Sequence, residues 1–375
     1  MTAGHSIDHP LHFMPPEPLP QPQEVSSASI TVIVPALRRP DLTERCLHSI
    51  ALQTASGVEV VVVENEAQPD TIFHLESLPS VYPYPVRQVL LEQNLGTTDS
   101  INRALMHVSS EFVLLLNNDV ELDPQFTRLL AEKLTSDPQL AFATGKLLNA
   151  REKTRLDGAG DALLLGGGAY RLGHQDLDIG QFDQPSEVFV GCGAATLYRR
   201  SALEQISGLD GDFFAYLDDV DLAFRLQLCG WKGVYLPSAI GYHIGSATLG
   251  DSMHPRIARW MTRNQLLLLL KDYPAGVLFR LLPRIWVYQW LWFLLLLCRG
   301  RIGSYMAGVF EALRLLGRNF AKRKQMQSNR KINVPELMQK LRASEAQIYA
   351  WHRARDSKMR SALLRIYFGL FGKPE

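Results

Sequence analysis

Clustered cysteine is absent. The four cysteines, Cys46, Cys192, Cys229 and Cys298, stand far apart with no C-x-x-C among them. That excludes a disulfide framework and a cysteine zinc site, and it suits a reducing cytosol. Net charge is missing too: 39 Lys+Arg against 38 Asp+Glu leave +1, so no polyanion signature covers the chain and nucleic acid is not an expected partner. The densest apolar run is short for a bilayer. As a helix, Ile285–Cys298 covers roughly 21 Å at about 1.5 Å per residue, against a hydrocarbon core of about 30 Å. Extending it backwards brings in Pro283, Arg284 and Arg280. Residues 1–28 carry Pro10, Pro15, Pro16, Pro18, Pro20 and Pro22 but neither the basic start nor the apolar centre of a signal peptide, and they read as a disordered leader. Glycine is missing from "VPALRRPD" (34–41), against the glycine-rich triphosphate loop of a nucleotidyltransferase. No internal repeat is visible.

What is present is a core-forming chain of 375 residues, 46% hydrophobic, enough for one large domain or two ordinary ones. "ITVIVP" (30–35) is a short continuous apolar run, as in a strand buried on both faces. A helix follows with Leu42, Cys46, Leu47 and Ile50 on its buried side and a capping box at Asp41 and Glu44. "VEVVVVEN" (58–65), "VRQVLL" (86–91) and "FVLLLNND" (112–119) read as further strands, with a helix capped by Thr98 or Asp99 before the last. The alternation predicts an α/β fold with a mostly parallel, Rossmann-like sheet, helices on both faces and ligands at the carboxyl ends of the strands. Those ends carry Pro35 and Arg38, then Glu64, then Asn94 and Gly96, then Asn117, Asn118 and Asp119.

"FFAYLDDVDLAFRLQLCG" (213–230) places Asp218, Asp219 and Asp221 at the start of a helix. The local reading is an N-cap at Asp218, an Asp221–Arg225 pair and an end at Gly230. A carboxylate free of that role could take a proton from an attacking hydroxyl.

The ordered segments "VIVPALRRPDLTERCLHSI", "VVVVEN", "EQNLGTTDSINRAL", "FVLLLNNDVEL", "GCGAATLYRRSALEQISGLDGDFFAYLDDVDLAFRLQLCGW" and "GYHIGSATLG" resemble the inverting family 2 glycosyltransferases of GT-A fold. The likeness runs from about residue 30 to 250, and the later "RNQLLLLLK" and "KRKQMQSNRKINVPELMQKL" resemble the C-terminal extension of bacterial members that build surface polysaccharides, rhamnosyltransferases included. The resemblance implies transfer from a nucleotide sugar, dTDP-rhamnose or a UDP-sugar, to a glycan or lipid-linked glycan. It implies Asp219 as general base, with Asp218 orienting the acceptor or capping the helix. Nucleotide-sugar contacts fall to Pro35, Ala36, Arg38, Glu64, Asn94, Gly96 and Asn118, and a sugar or acceptor pocket to Gly191, Cys192 and Gly193. A Mn²⁺ or Mg²⁺ site would use Asp119, His243 and Asn117. The D-x-D-like motif here reads Asn117-Asn118-Asp119, which drops one acid and leaves a non-catalytic, sugar-nucleotide-binding scaffold as the alternative.

The predicted division is a leader over 1–28, a GT-A domain over 29–250 and a helical region over 251–375. In the last, three of the six tryptophans lie at 286, 290 and 292, and cations accumulate from Arg299 to Lys331. Interfacial aromatics followed by cations predict peripheral or monotopic attachment through residues about 277–325, on the cytoplasmic face of the cell membrane.

Overall fold

The computed structural model describes residues 29–69, 71, 82–245, 253–355 and 361–374. The leader assigned to residues 1–28 and the boundary at 250 lie outside them. The first half alternates β1 (Ile30–Ala36), α1 (Pro40–Ala51), β2 (Val58–Asn65), β3 (Val86–Leu91), α2 (Gly96–Leu105), β4 (Phe112–Leu116), β5 (Val120–Leu122), α3 (Phe126–Ser136) and β6 (Leu140–Asn149). Four short strands follow, β7 (Leu156–Gly158), β8 (Asp161–Leu163), β9 (Ala169–Arg171) and β10 (Ser186–Glu187). Then come β11 (Ala195–Arg199), α4 (Arg200–Gln205), α5 (Asp218–Leu228) and β12 (Lys232–His243), and the helices α6 (Pro255–Asp272), α7 (Ala275–Cys298), α8 (Ile302–Ser328), α9 (Val334–Ala354) and α10 (Ala362–Phe371).

The main sheet has the order β10-β12-β6-β11-β4-β1-β2-β3. Strands β4, β1, β2 and β3 are parallel, β11 runs antiparallel between β4 and β6, and β12 is parallel to β6. Alternate residues of each central strand feed opposite cores, as side chains of period two must. Ile33, Val61, Val63 and Leu115 meet α2 and α5 on one face. Val32, Val34, Val60, Val62, Leu114 and Leu116 meet α1 and α3 on the other. Burial on both faces explains why these strands read as unbroken apolar runs.

Two helix starts differ from the sequence reading. α1 opens at Pro40 after Arg39, and Asp41 pairs with the Arg39 guanidinium (2.7 Å) instead of forming a capping box. α5 opens at Asp218 itself, behind a left-handed Leu217. Asp218 is therefore inside the first turn and is not an N-cap. The Asp221–Arg225 pair does form, with Arg225 Nε donating to Asp221 Oδ2 at 2.8 Å.

The C-terminal helices complete this core. Leu267 of α6, Val277 of α7 and Leu341 of α9 share one buried cluster with Ile33 and Phe224. Buried Lys271 pairs with Asp210 (2.5 Å) and with Asp221. α7 runs unbroken through Pro283, so it is longer than Ile285–Cys298 suggests. At 24 residues it is long and apolar enough to cross a membrane. Yet one side, Val277, Leu281, Ile285, Tyr288, Trp292 and Leu296, is buried in the protein. The other exposes Phe279, Leu282, Trp286, Trp290, Leu294 and Leu297.

Candidate active site

A cleft of about 590 Å³ opens at the carboxyl ends of the strands. Pro35, Ala36, Asn94, Gly96, Asn117, Asn118, Asp119, Gly193, Asp218, Asp219 and His243 all line it. Arg38, Glu64, Gly191 and Cys192 are not among its lining residues. One oxygen of buried Glu64 accepts the Arg38 backbone N–H at 3.0 Å, which holds the loop after β1 where Arg38 has φ 52°. Gly191 packs on Thr196, where a methyl group would lie 2.7 Å from the Thr196 hydroxyl. Cys192 is fully buried, and burial pushes its thiol up to about 12. Asn65, at the end of β2, ties the loop before α2 in place. Its amide donates to Asn94 Oδ1 (3.0 Å) and the Gly96 carbonyl (3.1 Å), while its oxygen accepts the Leu95 N–H (2.8 Å).

Asp119 and His243 are far apart in sequence and are joined by strand pairing. β5 runs antiparallel to β12 with Val120 opposite His243, and the Ile244 N–H donates to the Asp119 carbonyl at 3.0 Å. His243 Nε2 then lies 3.3 Å from Asp119 Oδ1, and Nδ1 is 2.7 Å from Asp157 Oδ2. Burial opposes the charged imidazolium, but the hydrogen bonds to Asp119 and Asp157 outweigh it and raise His243 to about 9. Burial likewise works against the Asp157 carboxylate, and Arg171 and His243 outweigh it, holding Asp157 at about 2. A carboxylate on one ring nitrogen that aims the other at a second acid is the outer-shell pattern of metal-binding histidines. A carboxylate, an imidazole and an amide suit Mn²⁺ at least as readily as Mg²⁺. Among the described residues, no three His, Cys, Asp or Glu side chains enclose a cation by themselves.

Asp219 sits across the cleft in the first turn of α5. Its Oδ1 accepts the Val220 N–H at 2.8 Å, and a methyl group on Gly193 would lie 2.5 Å from its Oδ2. Glycine at 193 is thus what lets the backbone approach the carboxylate. Burial raises Asp219, while the Arg171 guanidinium and the backbone N–H groups of Val220 and Gly193 oppose the rise. Burial and the adjacent Asp219 charge push Asp218 up to about 7. Both neighbours are thus raised by burial, and only Asp219 has the Arg171 guanidinium working against the rise.

Asp157, Asp161, Arg171 and His174 line the same cleft, and sequence reasoning passed over them. Arg171 on β9 is 2.8 Å from Asp157 Oδ2 and 3.7 Å from Asp161 Oδ1. Burial raises Asp161 to about 7 against the pull of Arg171. Arg171→Gln removes a cation that favours ionised Asp219, so its pKa rises further. A base that must be ionised then needs higher pH, and the acid limb of the transfer profile should move upward. Superimposable pH profiles of kcat/KM for the two chains would remove Arg171 from this role.

The loop before α5 is strained. Phe214, Tyr216 and Leu217 have φ of 63°, 67° and 59°, a region costly for side chains of this size. It is held from α6, where Asn264 Nδ2 donates to the carbonyls of Phe213 (3.0 Å), Ala215 (2.9 Å) and Tyr216 (2.6 Å), and Arg263 Nη2 to Phe213 (2.5 Å). Trp260, one turn earlier, lies 5.1 Å from the Phe214 ring and stacks at 6.1 Å on Tyr216. The C-terminal region therefore builds one wall of the cleft, with Arg256 beside it.

Comparison with known proteins gives the family and the fold. Over 223 residues the chain is 30% identical to the N-acetylglucosaminyl-diphospho-decaprenol L-rhamnosyltransferase of Mycobacterium tuberculosis, covering 53% of this chain and 71% of that one. It is 22% identical over 269 residues to the poly-β-1,6-N-acetyl-D-glucosamine synthase of Staphylococcus aureus, covering 69% and 62%. Among solved structures, GalNAc-T7 with UDP, GalNAc and Mn²⁺ superposes with a TM-score of 0.57 at 12% identity, over 71% of this chain and 51% of that one. A mannosyltransferase from Pyrobaculum calidifontis with GDP-Man and Mn²⁺ gives 0.51 at 16% identity, over 88% of both. These two likenesses establish the GT-A fold. The family described as "Glycosyltransferase like family 2" matches residues 27–263, and the chain belongs to it.

Proposed function

We propose that this chain is an inverting glycosyltransferase. It moves a sugar from a nucleotide-sugar donor, dTDP-rhamnose or a UDP-sugar, to a glycan or lipid-linked glycan acceptor in cell-surface polysaccharide synthesis. The observation that carries the reading is the place of Asp219 in the cleft, set against Gly193, where burial raises its carboxyl and the Arg171 guanidinium opposes that rise. From there it takes the proton of the acceptor hydroxyl as the new bond forms. Asp218, held near neutrality, orients the acceptor. Pro35, Ala36, Asn94, Gly96 and Asn118 bind the nucleotide sugar, with Glu64 holding the Arg38 backbone in the loop beside them. Tyr216 and Trp260 offer ring faces to a sugar. Asp119, His243 and Asn117 would hold Mn²⁺ or Mg²⁺, which when bound supplies positive charge for the departing diphosphate. The mycobacterial relative acts on a decaprenyl-diphosphate-linked sugar by its name, which supports a lipid-linked acceptor here.

A second reading has one observation behind it: Asn117-Asn118-Asp119 brings a single charge to the metal position, as a scaffold that binds sugar nucleotide without turning it over could tolerate. A panel of sugar nucleotides, tested for binding and for nucleoside diphosphate release with Mn²⁺ and candidate acceptors, separates the two. Release supports the enzyme; tight binding with no release from any donor, even by slow hydrolysis, supports the scaffold.

The membrane reading rests on the outer surface of α7 and α8. Phe279, Leu282, Trp286 and Trp290 on α7, with Met306, Phe310 and Leu313 on α8, are exposed, and exposed Arg299, Arg314 and Lys324 accompany them. Apolar rings beside cations complement an anionic bilayer surface. Because the opposite side of α7 is packed into the protein, the helix lies on the cytoplasmic leaflet and does not cross it. Trp292 takes no part, since it is buried and donates to Thr262 Oγ1 at 2.9 Å. The full chain should pellet with membranes, and Trp286→Ser combined with Trp290→Ser should release most of it. A native chain soluble without detergent or high salt contradicts the attachment.

A further inference from the structure

A second cavity, of about 370 Å³, lies between α7, α9 and the chain end after α10, and shares no lining residue with the catalytic cleft. Arg280, Arg284, Arg342 and Lys373 line it over an apolar floor that includes Leu281 and Met338. No acid lines it. Among the described residues only Arg284 of the four has an ion pair, to Glu345 Oε2 at 3.2 Å. That carboxyl is already engaged by the Tyr367 hydroxyl (2.7 Å) and the Leu165 N–H (3.1 Å). The Arg284 guanidinium also lies over the Phe371 ring, 4.6 Å from its centroid, which fixes its plane. Three further cations, none ion-paired to an acid among the described residues, leave a positive recess. Folding brings them together from three separate stretches of chain, against their mutual repulsion. Such an arrangement is stable when an anion is present to be shared.

We propose that this cavity binds a phosphate-bearing anion, with the guanidinium groups of Arg280, Arg284 and Arg342 as donors and Lys373 as a point charge. Guanidinium forks match the oxygens of a phosphate mono- or diester, and an ammonium adds charge without fixed geometry. The apolar floor suits the carbon next to the phosphate. The inference stands apart from the sugar-transfer reading, since none of these residues belongs to the catalytic cleft. Two sources offer the same chemistry, a lipid headgroup at the surface that α7 faces and a free phosphate or diphosphate.

The test uses the full chain in two arms: calorimetry with inorganic pyrophosphate, and co-sedimentation with phosphatidylcholine vesicles with and without phosphatidylglycerol. Arg280→Gln combined with Arg342→Gln should weaken binding about ten- to a hundredfold, the loss of two charge-assisted contacts. Arg299→Gln combined with Arg314→Gln, outside the cavity, should leave pyrophosphate binding unchanged. Lys373→Gln, exposed and outside every helix, should lower it several-fold and keeps the test open if the arginine variants fold poorly. A loss confined to anionic vesicles identifies a headgroup. A loss confined to pyrophosphate identifies a soluble ligand, and a loss in both arms identifies a phosphate group from either source. If the cavity variants match the native chain in both arms, the proposal is overturned.

Discussion

Asp219→Asn is expected to slow sugar transfer about 10²- to 10⁴-fold while nucleotide-sugar affinity stays within about twofold of native. The amide keeps the shape of the carboxylate and can still accept the Val220 N–H that Asp219 Oδ1 receives at 2.8 Å, so the first turn of α5 should survive. What is lost is the proton acceptor. Asp218 cannot replace it. Successive helix residues project about 100° apart, so its carboxylate points elsewhere. Asp218→Asn should therefore cost less, and mainly in acceptor KM. Measured kcat and donor Kd for the two variants decide this. Transfer by Asp219→Asn within a few-fold of native would move the base to another residue, and Asp161, which lines the same cleft, would be the next to examine.

Removal of divalent cation is expected to abolish transfer, with Asp119→Ala and His243→Ala each reproducing most of that loss. Changing an outer-shell partner of a metal ligand costs about 10- to 100-fold in affinity, and a ligand itself costs at least as much. Asp157→Asn should cost less than either, because Asp157 reaches the metal position through His243 Nδ1 at 2.7 Å. Calorimetry of donor binding across a series of Mn²⁺ concentrations reads all three. If His243→Ala binds donor and Mn²⁺ as the native chain does, the histidine serves only to join β5 and β12. Full activity after chelation would remove the metal altogether.

The parts of this molecule legible in the sequence were those whose signal is local. "ITVIVP" and "VVVVEN" could be read as central strands because both their faces are buried. Pro35, Asn94, Asp119 and Asp219 lay at the ends of such elements, and all four line the cleft. The order of motifs carried the family. What stayed hidden depended on distant partners. The start of α5 was misplaced because Leu217 is left-handed, and the loop before it is held by Arg263 and Asn264 on α6. Asp157, Asp161 and Arg171 sit on strands of three residues, too short for any period to show. Their one local signal was Asp157-Gly158-Ala159-Gly160-Asp161, two acids around glycines. The apolar run ending at Cys298 looked short for a bilayer, because nothing local shows that α7 continues unbroken through Pro283. Its tryptophans looked equivalent, but only Trp286 and Trp290 face outward.

The most direct test of base-assisted, single-displacement transfer is the anomeric configuration of the product, read by NMR from a reaction with a configurationally defined sugar nucleotide. Attack by a hydroxyl that Asp219 deprotonates, on the face opposite the departing diphosphate, predicts a glycosidic bond of configuration opposite to that of the donor, formed by the native chain and lost with Asp219→Asn. A product that retains the donor's configuration would contradict it.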